Sequence, residues 1–136
     1  MSRMDLASLA GGPPEPTAPV PSPPRDRVVR DLHGGIAVRL TESAGHTRAV
    51  VTGEIDLVSA TTLRDVLGDI LHCAPGRLEV DLGGVGFFDC SGLNVLLRLR
   101  ARAREHGVEL VVTAASPAVA RLLEITGTNG AVTAAP

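Results

Sequence analysis

From Gly35 onward the apolar residues switch repeatedly between two spacings, and this alternation restricts the fold more than any other feature of the chain. Ile36, Val38 and Leu40 alternate with Ala37 and Arg39, the period of a half-buried strand. A polar loop, Glu42 to His46, leads to a second strand over Arg48 to Ile55. Leu63, Val66, Leu67, Ile70 and Leu71 then recur at i, i+3, i+4, i+7 and i+8, one face of a helix, with Ser59 as its predicted N-cap. Pro75-Gly76 stops it. Leu78, Val80 and Leu82 return to strand spacing, and a glycine-rich connection, Gly83 to Gly86, runs into Phe87 and Phe88. A second helix is predicted from about Ser91 to His106, ending at Gly107. Val108 to Thr113 is nearly continuous in Val and Leu, which predicts a strand covered on both sides. Ser116-Pro117 opens a third helix reaching about Ile125, with Gly127 as its stop, and Ala131-Val132-Thr133 predicts a short edge strand.

The order is therefore β-β-α-β-α-β-α, an α/β class with a mixed sheet of four to five strands packed with three to four helices. The third strand, second helix and fourth strand form a βαβ unit, expected to be parallel and right-handed. The first two strands can pair antiparallel. With no Trp, no Tyr and two Phe in 136 residues, the core must be aliphatic. About 100 residues bury roughly two-thirds of their unfolded surface, so such a core needs neither metal nor disulfide.

Residues 1–33 read as a disordered proline-rich N-terminal tail, and residues 34–133 as the single domain. Seven prolines fall between Pro13 and Pro24, where missing donors and a fixed φ favour a solvated, extended tether. Met1 to Ala10 lacks the charged start and apolar stretch of a signal peptide. No apolar run approaches the roughly eighteen residues that cross a bilayer. Cys73 and Cys90 are isolated thiols and not a CxxC pair, which suits a reducing cytosol, so a cytoplasmic protein is expected.

Composition also bears on function. The net charge is −2, so no overall basic field would hold a phosphate backbone, and direct DNA binding is not expected. Aromatic platforms for single-stranded nucleic acid are nearly absent. All thirteen basic residues are Arg, so no Schiff-base or Walker-type lysine exists. The four histidines are scattered without metal-ligand spacing, and no metal or cofactor is expected. Gly84-Val85-Gly86 begins a GxGxxG, but Asp89 stands at the third glycine position, where its carboxylate would face the phosphates. The same Asp89 spoils a GxSxG elbow around Ser91. Cys90 at a helix start could have a lowered pKa, but the phosphatase arginine six residues on is replaced by Leu96. Glu54 and Asp56 at a strand end are explained as well by solvated charge as by acid–base work. Catalysis is disfavoured throughout.

What remains is Ser91 at a helix start. Its hydroxyl would serve as a cap worth about 0.5–2 kcal/mol. It would equally tolerate a phosphate, because a helix N-terminus offers free N–H groups and positive potential. Both readings stand on the residues alone. At about 100° per residue, Ser91, Asn94, Arg98 and Arg102 share a polar stripe, with Leu93, Leu96, Leu97 and Ala103 opposite.

Gly53-Glu54-Ile55-Asp56, then an amphipathic helix, then Leu78-Glu79-Val80-Asp81-Leu82 and Phe88-Asp89-Cys90-Ser91-Gly92-Leu93 together resemble the STAS-domain family of anti-sigma factor antagonists. The resemblance covers roughly residues 34 to 133, and Asp-x-Ser-Gly-Leu is its most specific part. It implies a STAS-like fold and a non-catalytic role: the unphosphorylated protein binds a serine-kinase anti-sigma factor and frees a sigma factor. Phosphorylation of the serine before Gly-Leu switches it off, and a serine phosphatase resets the cycle. By the resemblance Ser91 is the phosphoacceptor, and Asp56, Asp89, Cys90, Gly92, Leu93, Asn94 and Arg98 form the switch and partner surface. Cys90 stands where the common pattern has a second serine. The alternative is a constitutive STAS scaffold or adaptor in a larger regulatory or transport assembly, where Ser91 only caps.

Overall fold

The computed structural model describes residues 25–30, 35–73 and 75–132. Five strands form one sheet in sequence order: β1 (Arg25–Arg30), β2 (Ile36–Ser43), β3 (His46–Ile55), β4 (Arg77–Phe88) and β5 (Glu109–Ala115). β1, β2 and β3 pair antiparallel, whereas β3, β4 and β5 pair parallel. Helix α1 (Leu57–His72) connects β3 to β4, and α2 (Cys90–Glu105) connects β4 to β5. Helices α3 (Pro117–Thr126) and α4 (Asn129–Val132) close the described chain. The mixed α/β architecture is the one the periodicity predicts.

Four local expectations are corrected. β1 lies inside the stretch assigned to the tail, so the domain begins before residue 34. Its sequence, Arg-Asp-Arg-Val-Val-Arg, lacks alternation because an edge strand is steadied on one side only. Asp26 there accepts from Arg39 at 3.1 Å, and half-buried Val29 packs on the core. Residues 1–24 lie outside the described part. Second, Gly83 to Gly86 is not a connection, since β4 runs on through it to Phe88. A Cβ on Gly84 would sit 2.8 Å from Thr52 Cγ2, so the glycine permits the close pairing with β3. Third, the loop from Glu42 to His46 shrinks to a two-residue turn at Ala44-Gly45, both at positive φ as a type I′ hairpin requires. Fourth, Ala131 and Val132 belong to a helical turn rather than to an edge strand; Thr133 lies outside the described residues.

The alternating residues divide the sheet into two unlike faces. Ile36, Val38, Leu40, Ala49, Val51, Leu78, Val80 and Leu82 are buried beneath the helices. α1 and α2 pack side by side and present Leu63, Leu67, Ile70, Leu71, Leu93, Leu96 and Leu99 to this core, while α3 adds Val119 and Leu123. Each fully buried Leu, Ile or Val contributes about 1.5–3 kcal/mol from removal of apolar surface, so an aliphatic core suffices. The opposite face carries ion pairs: Arg48–Asp81 at 2.9 Å, His46–Glu79 at 3.2 Å, Arg77–Glu79 at 3.1 Å and Arg77–Glu109 at 3.0 Å. In β5, Leu110, Val111 and Val112 are all buried, as its continuous apolar run predicts.

Candidate functional site

Parallel pairing of β3 and β4 brings two helix starts together. Ile55 and Phe88, the last residues of these strands, are register partners, and the Asp89 N–H donates to the Ile55 carbonyl at 3.4 Å. Each strand is followed by one aspartate in extended conformation and then a helix, so Asp56 and Asp89 are equivalent N-caps on neighbouring helices. Asp56 Oδ1 accepts from the N–H groups of Val58 at 3.0 Å and Ser59 at 2.9 Å. Ser59 completes a capping box by accepting from the Asp56 N–H at 2.9 Å. Ser59 is therefore the third helical residue and Asp56 the cap, a correction of the predicted start of α1. The Ser59 backbone N–H, more than any other group, holds the Asp56 carboxyl below its ordinary pKa, with the Ser59 hydroxyl and the Val58 N–H assisting against partial desolvation.

At α2 the same arrangement revises the role of Ser91. Asp89, and not Ser91, is the N-cap: its Oδ1 accepts from the Ser91 N–H at 2.9 Å. Among the described residues the Ser91 hydroxyl makes no hydrogen bond. It is half-buried, at the mouth of a groove between α1 and α2. The capping role that the sequence allowed Ser91 thus belongs to Asp89.

The remaining predicted residues separate into surface and support. Cys90 is exposed at the first helical position, and Asn94 and Arg98 are exposed along the groove. Gly92 and Leu93 are buried, Leu93 at 6% exposure, so they hold α2 in place and are not available to a partner. A Cβ on Gly92 would lie 2.5 Å from Phe88 Cε1 and 2.8 Å from Ile55 Cγ2, so only glycine lets the start of α2 approach the strand ends.

The groove has a volume of about 450 Å³. One wall is the α2 stripe Ser91, Asn94, Val95, Arg98 and Arg102; the other is the α1 stripe Leu57, Ala60, Thr61 and Arg64. Sequence reasoning finds the first stripe and misses the second, because Leu57 precedes the apolar period of α1 and falls outside its buried face. Leu57 and Val58 are 74% and 59% exposed, and Phe87 and Ile125 are exposed as well. The signal for Leu57 and Val58 was two large apolar residues just after a capping aspartate, out of phase with the buried stripe. A second recess, of about 400 Å³, lies between the end of β4 and α3, lined by Phe87, Phe88, Leu122 and Ile125. Among the described residues no group of three or more His, Cys, Asp or Glu is placed to hold a metal ion, and no helix is long and apolar enough to cross a membrane.

Residues 38–133 match the family model described as Mlab, STAS domain. The chain is 32% identical over 94 residues to the anti-sigma-B factor antagonist of Listeria monocytogenes, covering 68% of this chain and 82% of that protein. It belongs to the STAS-domain family of anti-sigma factor antagonists. The anti-sigma-F factor antagonist RsfA of Mycobacterium tuberculosis is 32% identical over 87 residues, covering 60% of this chain and 68% of the relative. Among solved structures, an anti-sigma factor antagonist from Mycobacterium paratuberculosis superposes with a TM-score of 0.63 at 26% identity, covering 76% of this chain and 87% of that one. The five-stranded mixed sheet and its helices are thus those of the family.

Proposed function

We propose that this protein is a phosphorylation-switched anti-sigma factor antagonist. Its unphosphorylated form binds a serine-kinase anti-sigma factor in the cytoplasm and so frees a sigma factor; phosphate on Ser91 breaks that complex, and a serine phosphatase restores it. The observation that carries this reading is the unengaged Ser91 hydroxyl at the mouth of the α1–α2 groove, beside a helix cap already taken by Asp89. A phosphate there brings about −1.5 to −2 of charge. It cannot settle on the Ser91 N–H without displacing the Asp89 carboxylate. The charge is therefore directed into the groove, where it opposes a partner and leaves the core untouched. A coupling of roughly 1–3 kcal/mol, about 5- to 150-fold in affinity, is ordinary for such linkage.

Purified serine-kinase anti-sigma factors from the source genome, incubated with this chain and ATP, test the reading by mass spectrometry. Phosphate on Ser91, none on Ser91→Ala, and weakened binding of Ser91→Glu are expected. Phosphate elsewhere, or binding indifferent to Ser91→Glu, overturns it. Indifference to Ser91→Glu in a stable assembly would point to the constitutive adaptor, which the exposed Leu57, Val58, Phe87 and Ile125 also suit.

A further inference from the structure

The α1–α2 groove has a chemical bias that the switch alone does not require. Its apolar lining comes from Leu57 and Ala60 on α1 and Val95 and Leu99 on α2. Its charged members are all arginines: Arg64, Arg98 and Arg102, with no carboxylate in the lining. Arg64 is paired with exposed Asp65 at 3.2 Å. Arg98 and Arg102 have no ion-pair partner among the described residues. Arg100, Arg104 and Arg121 likewise lack an ion-pair partner among the described residues, so what sets Arg98 and Arg102 apart is their place on an apolar groove whose lining holds no carboxylate.

The groove also has a definite length. On α2 the stripe runs from Ser91 to Arg102, which at 1.5 Å per residue is about 16 Å, or three helical turns. Arg102 reaches across to α1 at its far end: a Cβ on Gly68 would meet Arg102 Nη1 at 3.3 Å. Two parallel ridges with an apolar trough between them match a third helix laid in the trough, seated by residues at i, i+3, i+4 and i+7.

We infer that the α1–α2 groove takes an amphipathic helix of acidic character from the partner protein, its apolar side on Leu57 and Val95 and its carboxylates on Arg98 and Arg102. This inference rests on the reading of the groove as the partner surface and names the chemistry that surface selects. Ser91 lies at one end of the trough, so a phosphate there repels the acidic helix directly. Like charge at the mouth of the groove is then the means by which the switch releases its partner.

Three fluorescein-labelled peptides of about 16 residues, roughly four helical turns, test this against the full chain by anisotropy. The first places Leu at i, i+3, i+4 and i+7 with Glu on the flanks; the second replaces Glu with Lys; the third keeps the acidic composition and scatters the Leu residues. The first is expected to bind at least about tenfold more tightly than the others, with an affinity that falls as salt rises from about 50 to 300 mM. Arg98→Glu/Arg102→Glu is expected to lose about tenfold or more, and the milder Arg98→Gln/Arg102→Gln to lose part of this with an unchanged melting temperature. Amide shift changes should fall on the α1 and α2 stripes and spare β1 and α3. Equal binding of the Lys peptide or the scattered peptide, no binding of any peptide, or indifference to both double variants overturns the inference. Peptide binding by a chain that no candidate kinase phosphorylates would leave the groove standing and sink the switch; phosphorylation at Ser91 without peptide binding would do the reverse.

Discussion

Two chemically identical substitutions, Gly92→Ala and Gly68→Ala, should change stability in opposite directions. Both glycines lie in helices, where alanine is favoured by up to about 1 kcal/mol. At Gly92 the new methyl would lie 2.5 Å from Phe88 Cε1, 2.8 Å from Ile55 Cγ2 and 2.9 Å from Phe88 Cδ1. Carbon atoms rest about 3.5–4.0 Å apart, so roughly 1 Å of relief is needed against two buried side chains. Overpacking of this kind costs about 1–3 kcal/mol, which exceeds the propensity gain. At Gly68 the methyl meets only Arg102 Nη1 at 3.3 Å and Nη2 at 3.9 Å, the mobile end of a long side chain that can swing aside. Gly68→Ala should therefore stabilise by about 0.5–1 kcal/mol and Gly92→Ala destabilise by up to about 2 kcal/mol, net of propensity. For a domain of this size that is a rise of about 2–5 °C in melting temperature for the first and a fall of up to about 10 °C for the second. Urea unfolding followed by circular dichroism measures both. Equal signs for the two variants would refute the packing at the start of α2. A fall for Gly68→Ala would refute the placement of the Arg102 guanidinium.

Asp89→Ala should cost about 1 kcal/mol in thermal or urea unfolding by removing the cap of α2, whereas Asp89→Asn, an equally good cap, should stay within a few tenths. Ser91→Ala should leave stability within about 0.5 kcal/mol, since its hydroxyl holds no partner; a loss above 1 kcal/mol would restore Ser91 as a cap. The Asp56 carboxyl is depressed below its ordinary value of 3.8 in the folded protein. Stability from that group is thus present above pH 3.8 and lost as pH falls through the lower folded value. Asp56→Asn should flatten this part of an acid-unfolding curve, and an unchanged curve would dismiss the contribution. At Glu79, desolvation raises the pKa but the hydrogen bonds and charges of His46 and Arg77 outweigh it, and the net shift is downward from 4.5. Glu79→Gln should therefore lose stability above pH 4.5, a loss that fades as pH falls through the lower folded value in the same acid titration.

Much of this protein was legible in its sequence, because hydrophobic period is a local property fixed by how side chains leave helix and strand. The alternation at Ile36, Val38 and Leu40 and the i, i+3, i+4 recurrence at Leu63, Val66 and Leu67 dictate the elements and the mixed sheet wherever they are placed. The edge strand β1 was not legible, since its pairing with β2 requires no period of its own. Nor was the continuation of β4 through Gly83 to Gly86, where close pairing with β3 rather than local preference decides the conformation. Ser91 stood out in the sequence as a hydroxyl at a helix start, but which atom caps α2 is settled by two residues of helix phase, from Ser91 back to Asp89, beyond what propensity resolves. Only the parallel pairing of β3 with β4 sets Asp56 beside Asp89, brings Arg102 against Gly68 of α1, and makes a groove from two stripes whose nearest members, Arg64 and Ser91, lie 27 residues apart in the chain.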